Sequence, residues 1–328
     1  MGRRARVRRR VLAIASLLLT TIPTVAVVSA EEERWFGTSS VGDPGAAPLR
    51  GDHDGAPPLP RRGREVPRDE YRSPYQWSFR TPLDEILFDR DTERGDPRNE
   101  SSIPYSEWYS ERVLRRHGGW GPPRRRFTCP RRVHEWSAEK KRERVVASAM
   151  LHVGRDYQHH YIPDWDPPRD WKWNRTGTEP QHQSRGIDCS TFSSWNYDWA
   201  LGLNFSSAIL AQSRIERARL HVEGEEPREV PVQRIARPER YADLLRQLRA
   251  GDLLYIKHNP ESDVGHVIMW TGAYATSPDG TPLVIDSTGG GHVDSNGVAI
   301  PAGVQLRPFT EDSWYWRSFA HAIRIIDG

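Results

Sequence analysis

Five short apolar segments late in the chain constrain the fold more than any other feature of the sequence. Each holds five to eight residues, is rich in β-branched and aromatic side chains, and is bounded by Gly, Pro, Asp or Asn. Segments of this kind, separated by turn residues such as those at 277–280, are typical of β-strands. The sequence therefore predicts about five consecutive strands, at residues 252–257, 266–271, 282–287, 304–308 and 319–326.

Helical patterns precede these strands. Residues 138 to about 153 carry apolar side chains at helical spacing after Ser137, a favourable N-cap, and residues 191–201 form a second predicted helix. A further amphipathic helix is predicted at 240–249, and a short strand at 230–235. Helices first and strands afterwards indicate an α+β fold, in which N-terminal helices pack on a mostly antiparallel sheet.

The first thirty residues have the three parts of a secretory signal peptide. Residues 1–10 carry six arginines, an apolar run follows them, and small residues precede the end of the segment at Ala30. We therefore expect a signal peptide at 1–30 and a mature chain that is secreted, periplasmic or bound to the cell wall, with no membrane span left after cleavage. An uncleaved single-span anchor is the alternative, because the apolar run is about as long as a short membrane helix.

Residues 31–126 differ in composition from the rest. They are rich in Pro, Gly, Arg and acidic residues and show no sustained helix or strand period, which predicts a largely disordered linker before a folded domain at 127–328. Two aromatic patches, at 71–79 and 105–109, are the parts of this linker that could pack against that domain. The net charge is only +3 and lies mostly in these early segments, so we expect no nucleic-acid partner.

Cys189 follows a polar loop and opens the predicted helix at 191–201. A thiol at a helix N-terminus loses its proton more easily, and the free backbone N–H groups there can hold an oxyanion. These properties suit a nucleophile. The alternative is a buried structural cysteine or a disulfide with Cys129, since two cysteines in an exported chain ordinarily pair.

A thiol nucleophile needs a base and a third group that orients the base. His266 opens the second of the five predicted strands and Asp286 lies near the end of the third, so neighbouring antiparallel strands would bring the carboxylate to the imidazole. Three further histidines compete on composition alone, and we expect them to be ordinary core or surface residues: His258, His292 and His321.

The loop at 157–176 is dense in Trp, Tyr, Pro and Asp. A loop of this length inside a folded domain is usually functional or disordered, and its aromatic residues Trp165, Trp171 and Trp173 suggest the wall of a cleft. His159 and His160 have no carboxylate or cysteine at ligand spacing, so we expect no metal site there.

Three motifs in order resemble the NlpC-type cell-wall cysteine peptidases, which are papain-like α+β enzymes that cut peptidoglycan stem peptides. The motifs are Asp188-Cys189-Ser190, the Gly-Asp-Leu-Leu run at 251–254, and the Gly-His-Val run at 265–267. The resemblance implies that Cys189 is the nucleophile, His266 the base and Asp286 the orienting residue. It also implies that Tyr157 lines the cleft, that Asp188 and Ser190 contact the amine end of the substrate, and that no cofactor is needed.

The chain also departs from the family pattern. Thr191 stands where the family has Gly after Ser190, and Asp286 stands where His, Asn or Gln is usual. The expected function is an exported cysteine hydrolase that cleaves amide bonds in peptidoglycan peptides through a Cys-His-Asp triad. The alternatives are a Cys-dependent, transglutaminase-like acyltransferase and a non-catalytic wall-associated protein with a Cys129–Cys189 disulfide.

Overall fold

The computed structural model describes residues 63–168, 184–259 and 261–327. The predicted signal peptide, the first part of the predicted linker, and Trp171 and Trp173 lie outside these residues. Within the described ranges, no helix combines the length and the apolar character needed to cross a membrane.

In the described residues, six α-helices come before the first strand of the main sheet, and two short α-helices lie between its later strands. The helices are α1 (Leu83–Ile86), α2 (Glu111–His117), α3 (Arg131–His134), α4 (Ala138–Met150), α5 (Cys189–Leu201), α6 (Ile209–Ser213), α7 (Tyr241–Gln247) and α8 (Trp314–Arg317). The strands are β1 (Gln76–Trp77), β2 (Leu203–Asn204), β3 (Arg217–Leu220), β4 (Arg228–Pro231), β5 (Gln233–Ala236), β6 (Leu253–Lys257), β7 (Val264–Trp270), β8 (Ala275–Thr276), β9 (Leu283–Thr288), β10 (His292–Val293), β11 (Ala299–Ile300), β12 (Gly303–Pro308) and β13 (Phe319–Arg324). Short 3₁₀ turns occur at Glu93–Gly95, Pro97–Asn99, Tyr105–Glu107, Gly118–Trp120 and Gly272–Tyr274.

The main sheet has six strands in the order β12-β9-β7-β6-β13-β5, and every neighbouring pair is antiparallel. The sequence predicts the first five of these strands, and the strand predicted at 230–235 covers most of the sixth. The predicted single strand at 230–235 is wrong, because the chain changes sheets at Val232: β4 pairs with β3 in a three-stranded sheet, and β5 pairs with β13. The helical and antiparallel content expected of an α+β chain is present, whereas the papain-like assignment stays a prediction.

Alternating side chains bury both faces of the main sheet. Leu253, Val267 and Ile285 belong to one apolar cluster, which also holds residues of α4 and α5. Their neighbours Leu254 and Ile268 belong to a second cluster with residues of α7 and α8. Successive side chains of a strand point to opposite faces of the sheet, so each of these strands contributes residues to both clusters. For this reason its sequence is a nearly continuous apolar run.

Helix α5 is the central helix, since all 13 of its residues are buried. It ends at Gly202, whose left-handed backbone (φ +64°) satisfies the last turn. A Cβ at this position would collide with the carbonyl oxygen of His221 and the backbone of Cys129, so only glycine fits. This close approach places Cys129 at the C-terminal end of α5.

The structure corrects the prediction of a largely disordered linker for residues 63–126. Ile86, Leu87 and Trp108 are fully buried, and Tyr71 and Tyr75 join the cluster around α4 and α5. The segment is also hydrogen-bonded to the domain: Glu143 of α4 accepts from backbone and side chain of Thr81. A segment with buried apolar side chains and long-range hydrogen bonds belongs to the folded unit.

Composition misled the prediction because an arginine in this segment and another beside it on α4 are buried and hydrogen-bonded. Arg124 donates to Ser194 Oγ (2.7 Å) and to the carbonyl of Phe205 (2.9 Å). Arg144 of α4 binds both oxygens of Asp89 (2.8 and 2.6 Å) and the carbonyl of Ala200. Arginine therefore supplies internal donors here, whereas composition alone counts it as a sign of disorder.

Replacing Arg144 with methionine is expected to destabilise the fold by about 3 kcal/mol, because Asp89 would lose its bidentate partner in a buried site and keep only its ion pair with Arg94 at 3.4 Å. Urea unfolding followed by circular dichroism measures the change. Arg115→Met is the matched control, since its ion pair with Glu111 is exposed and contributes less than about 1 kcal/mol. Equal losses of unfolding free energy in the two variants would show that the packing of residues 83–89 does not depend on the ion pair between Arg144 and Asp89.

Candidate active site

Cys189 is the first residue of α5, and Asp188 is the N-cap. The Asp188 carboxylate accepts hydrogen bonds from the backbone N–H groups of Ser190 (3.0 Å) and Thr191 (2.8 Å), and from both of their hydroxyls. The thiol is 6% exposed and lies where the helix dipole favours negative charge. The predicted position of Cys189 at a helix start is therefore observed.

Two side-chain contacts hold the start of α5 against the sheet and against α6. Ser287 of β9 donates its hydroxyl to the carbonyl of Ile187 (2.5 Å), which lies two residues before the thiol. Gln212 of α6 donates to the carbonyl of Ser190 (2.8 Å). These contacts fix the direction in which Cys189 enters the helix.

His266 and Asp286 lie on the adjacent strands β7 and β9. The pairs Met269–Ile285 and Trp270–Val284 set the register, so Asp286 stands opposite Ile268, two residues from His266 and on the same face. The distance from His266 Nε2 to Asp286 Oδ2 is 2.7 Å. Neighbouring strands bring the carboxylate to the imidazole in the way the sequence predicts.

Asp286 is fully buried and has two further partners that the sequence analysis missed. Arg307 of β12 donates from Nε to Oδ1 (2.8 Å), and the Tyr315 hydroxyl donates to Oδ2 (2.6 Å). Burial alone raises the pKa of this carboxyl, but the Arg307 charge and the hydrogen bond with His266 outweigh it and hold the pKa well below its ordinary value. Asp286 is therefore ionised throughout the neutral range.

The imidazole of His266 interacts with the thiol as well as with the carboxylate. Burial lowers the pKa of His266, but the charge of Cys189 and hydrogen bonds with Asp286 and Cys189 overcome it and raise the pKa to about 10. Since Nε2 faces Asp286, Nδ1 is the nitrogen that remains for the sulfur. His266 is therefore hydrogen-bonded to Asp286 and lies close enough to Cys189 for the thiol to raise its pKa, whereas a catalytic Cys-His-Asp triad stays a prediction.

The titration of His266 gives a direct test of this arrangement. By NMR, the ring of the wild-type chain should titrate near pH 10, and Cys189→Ala should lower its pKa because the negative charge and hydrogen bond of the thiolate are lost. The stability that the pairing contributes is full below about pH 6.5 and is lost as the pH rises towards 10. Cys129→Ala is the control, and a His266 pKa that is the same in all three proteins would contradict the pairing.

The three predicted substrate-contacting residues surround this arrangement. Tyr157 is half-buried, and burial followed by the charge of Cys189 raises the pKa of its hydroxyl. Asp188 and Ser190 are nearly buried, and their side chains bond to each other as part of the helix cap. His159 Nδ1 lies 3.6 Å from Asp188 Oδ2 and so borders the same group. A substrate contact by these residues stays a prediction.

Thr191, which replaces the family glycine, is part of the same cap. Its hydroxyl donates to Asp188 Oδ2 (3.1 Å) and its side chain is buried. The departure from the motif thus adds a hydrogen bond that holds the carboxylate of Asp188.

The proposed disulfide between Cys129 and Cys189 is wrong. Both cysteines are free, and they lie at opposite ends of α5, a helix of 13 residues. Such a helix is roughly 20 Å long, whereas a disulfide needs Cα atoms within about 7 Å. Burial raises the pKa of the Cys129 thiol to about 11, which makes it a poor nucleophile at neutral pH.

Other sequence predictions are resolved by burial and stacking. Trp165 is fully buried with Trp108 and Ile162, so it forms a small core and not a cleft wall. His321 is buried and stacks on Tyr255. His292 stacks on Tyr315, whose hydroxyl donates to Asp286, and the two ring centroids are 4.4 Å apart. Burial lowers the pKa of His292 to about 3, so it is neutral.

The sequence around Arg307 and Tyr315 contains features from which their role as partners of Asp286 could have been predicted. Arg307 is the charged residue of a strand whose other residues are uncharged, and Tyr315 lies in the aromatic Trp-Tyr-Trp run of α8. A charge in a buried strand usually needs a partner of opposite sign. Within the described ranges, no three His, Cys, Asp or Glu side chains come close enough together to hold a metal ion.

Comparison with known proteins finds a distant similarity to a solved structure. No protein-family model and no curated protein matches the chain. Among solved structures, it is similar to an NlpC/P60 family protein from Bacillus cereus ATCC 10987, with a TM-score of 0.32 and 17% identity over 56% of this chain. The chain covers only 39% of that structure. The described residues themselves form a mixed fold of helices and antiparallel sheets.

Proposed function

We propose that the protein is a cysteine hydrolase that cleaves amide bonds through a thioester on Cys189. The observation that carries the proposal is the 2.7 Å hydrogen bond that holds His266 against the buried, ionised Asp286, next to a thiol at a helix start whose charge raises the pKa of that imidazole. This is the arrangement that activates a nucleophile, supplies a proton donor and fixes the donor's orientation.

Each group has a defined task in this reaction. The Cys189 thiolate attacks the carbonyl carbon, and the oxyanion that forms lies at the N-terminus of α5. Asp188 already occupies the N–H groups of Ser190 and Thr191 by its side chain and that of Phe192 by its carbonyl. The N–H of Cys189 itself is therefore the donor left in the first turn for the oxyanion.

His266 donates the proton that the leaving amine needs and later accepts a proton from water. The imidazolium gives its proton to the leaving amine, and the neutral ring then takes a proton from water, which attacks the thioester and releases the acid. Asp286 keeps its negative charge throughout and holds the ring by Nε2, as its low pKa requires. Arg307 and Tyr315 keep Asp286 in place.

The substrate that we propose is the stem peptide of peptidoglycan. This part of the proposal is supported by the motif resemblance around Cys189 and His266 and by the signal-like start of the chain, which would bring the enzyme to the periplasm or cell wall. Neither feature identifies the bond that is cut.

The test is incubation of the full chain with purified muropeptides, with product analysis by mass spectrometry. New fragments whose mass includes one water per cut bond support a hydrolase and identify the bond. A parallel sample with added glycine ethyl ester distinguishes acyl transfer, because the acyl product would then carry the amine in place of water. Unchanged muropeptides together with an unreactive Cys189 thiol would contradict any cysteine-dependent reaction.

A further inference from the structure

A basic pocket of about 600 Å³ lies apart from the catalytic group, between α6, the edge strand β5, the start of β7 and the start of β13. Its described lining residues include five basic side chains and one carboxylate: Arg214, Arg234, Arg237, Lys257, Arg317 and Asp263. Neither Cys189 nor His266 nor Asp286 lines it. The pocket therefore has a strong positive excess and a place of its own in the fold.

The fold holds several of these cations in place. Arg237 donates to the carbonyls of Arg317 (3.1 Å) and Phe319 (2.6 Å), and its guanidinium also lies over the ring of Trp316. Arg234 donates to the carbonyl of Ser213 (3.4 Å). Guanidinium groups anchored through one nitrogen keep other N–H donors for a ligand, and their order lowers the entropy cost of binding.

The single carboxylate does not balance these charges. Asp263 pairs with Arg214 at 3.3 Å, and both side chains are largely exposed. His321, which also lines the pocket, adds no charge, since burial lowers its pKa to about 4. The described lining thus has an excess of four positive charges.

We propose that this pocket binds a ligand that carries at least two phosphate groups. Guanidinium groups form paired hydrogen bonds with phosphate oxygens, and several of them in one pocket need more negative charge than one carboxylate brings. A volume of about 600 Å³ exceeds that of a single phosphate and is within the range of small-molecule sites. A free polyphosphate and a phosphodiester polymer share this chemistry.

This inference does not depend on the proposed hydrolase activity, since its test is a binding measurement. Isothermal titration of the full chain with pyrophosphate, at low and at high salt, measures the affinity. The double variant Arg234→Gln/Arg317→Gln is expected to bind at least about tenfold more weakly. Both side chains are exposed, so the variant should stay folded. The control, Arg112→Gln/Arg115→Gln on α2, changes the net charge equally and should bind like the wild type.

The same titration with poly(glycerol phosphate) distinguishes a phosphodiester polymer from a small polyphosphate, and either one supports the site if the pocket variant weakens it. Binding that weakens equally in the pocket and control variants would overturn the proposal, because it would reflect only the overall charge. Binding of oligoglutamate but of neither phosphate ligand would also overturn it, in favour of an acidic peptide.

Discussion

Replacing Cys189 with alanine is expected to lower the turnover of muropeptides by roughly 10⁴-fold or more, to the background rate. The thiol is the only group at the start of α5 that can form the thioester, and no remaining residue replaces a lost nucleophile. Mass spectrometry of the products over time measures the loss. The helix should persist in the variant, because its cap is formed by Asp188, Ser190 and Thr191 and not by the thiol.

Cys129→Ala is the matched control for this substitution, since it removes the other buried thiol at the far end of α5. It should keep nearly full activity. Cys189→Ser retains a hydroxyl with far weaker nucleophilicity and is expected to resemble the alanine variant. Activity that survives in Cys189→Ala, or that disappears in Cys129→Ala with the fold intact, would contradict the assignment of the nucleophile.

Replacing Asp286 with asparagine is expected to lower kcat by about 10²- to 10⁴-fold, because the neutral amide no longer stabilises the imidazolium of His266 or fixes its tautomer. The substitution also leaves the buried Arg307 without its counter-charge, and we expect it to cost about 3 kcal/mol of stability. Activity and urea unfolding are measured on the same samples, so that the loss of turnover can be corrected for the unfolded fraction.

A pH profile separates the positioning role of Asp286 from a purely structural one. The carboxylate is among the groups that raise the pKa of His266 to about 10, so Asp286→Asn should move the alkaline limb of kcat to lower pH. Tyr315→Phe is the control: it removes one hydrogen bond to Asp286 but keeps the negative charge. Tyr315→Phe should move the alkaline limb of kcat less than Asp286→Asn does, and it should lower the free energy of unfolding by only about 1 kcal/mol. An alkaline limb at the same pH in Asp286→Asn would contradict the positioning role.

Local patterns were sufficient to predict the elements that carry Cys189, His266 and Asp286. The short apolar runs around His266 and Asp286 predict strands, and both residues lie in strands, β7 and β9. Asp188 and Gly202 cap and end α5, and such capping is a local property of the chain. Because adjacent antiparallel strands pair in sequence order, even the contact between His266 and Asp286 followed from these local predictions.

Tertiary contacts decided what composition could not. The Pro- and Arg-rich segment from residue 63 onwards is folded because its few apolar side chains find a core and Arg124 finds buried acceptors on and after α5. The short strand β5 exists because β13 offers an open edge.

Long-range geometry also decided the state of the thiols and of Asp286. A full helix separates Cys129 from Cys189, and the partners of Asp286 come from positions 21 and 29 residues later. Distances across the fold are set by the packing of whole elements, so no local pattern in the sequence encodes them. The sequence by itself therefore determined the helix start that carries Cys189 and the strands that carry His266 and Asp286, and only the tertiary structure determined the buried charge network around Asp286.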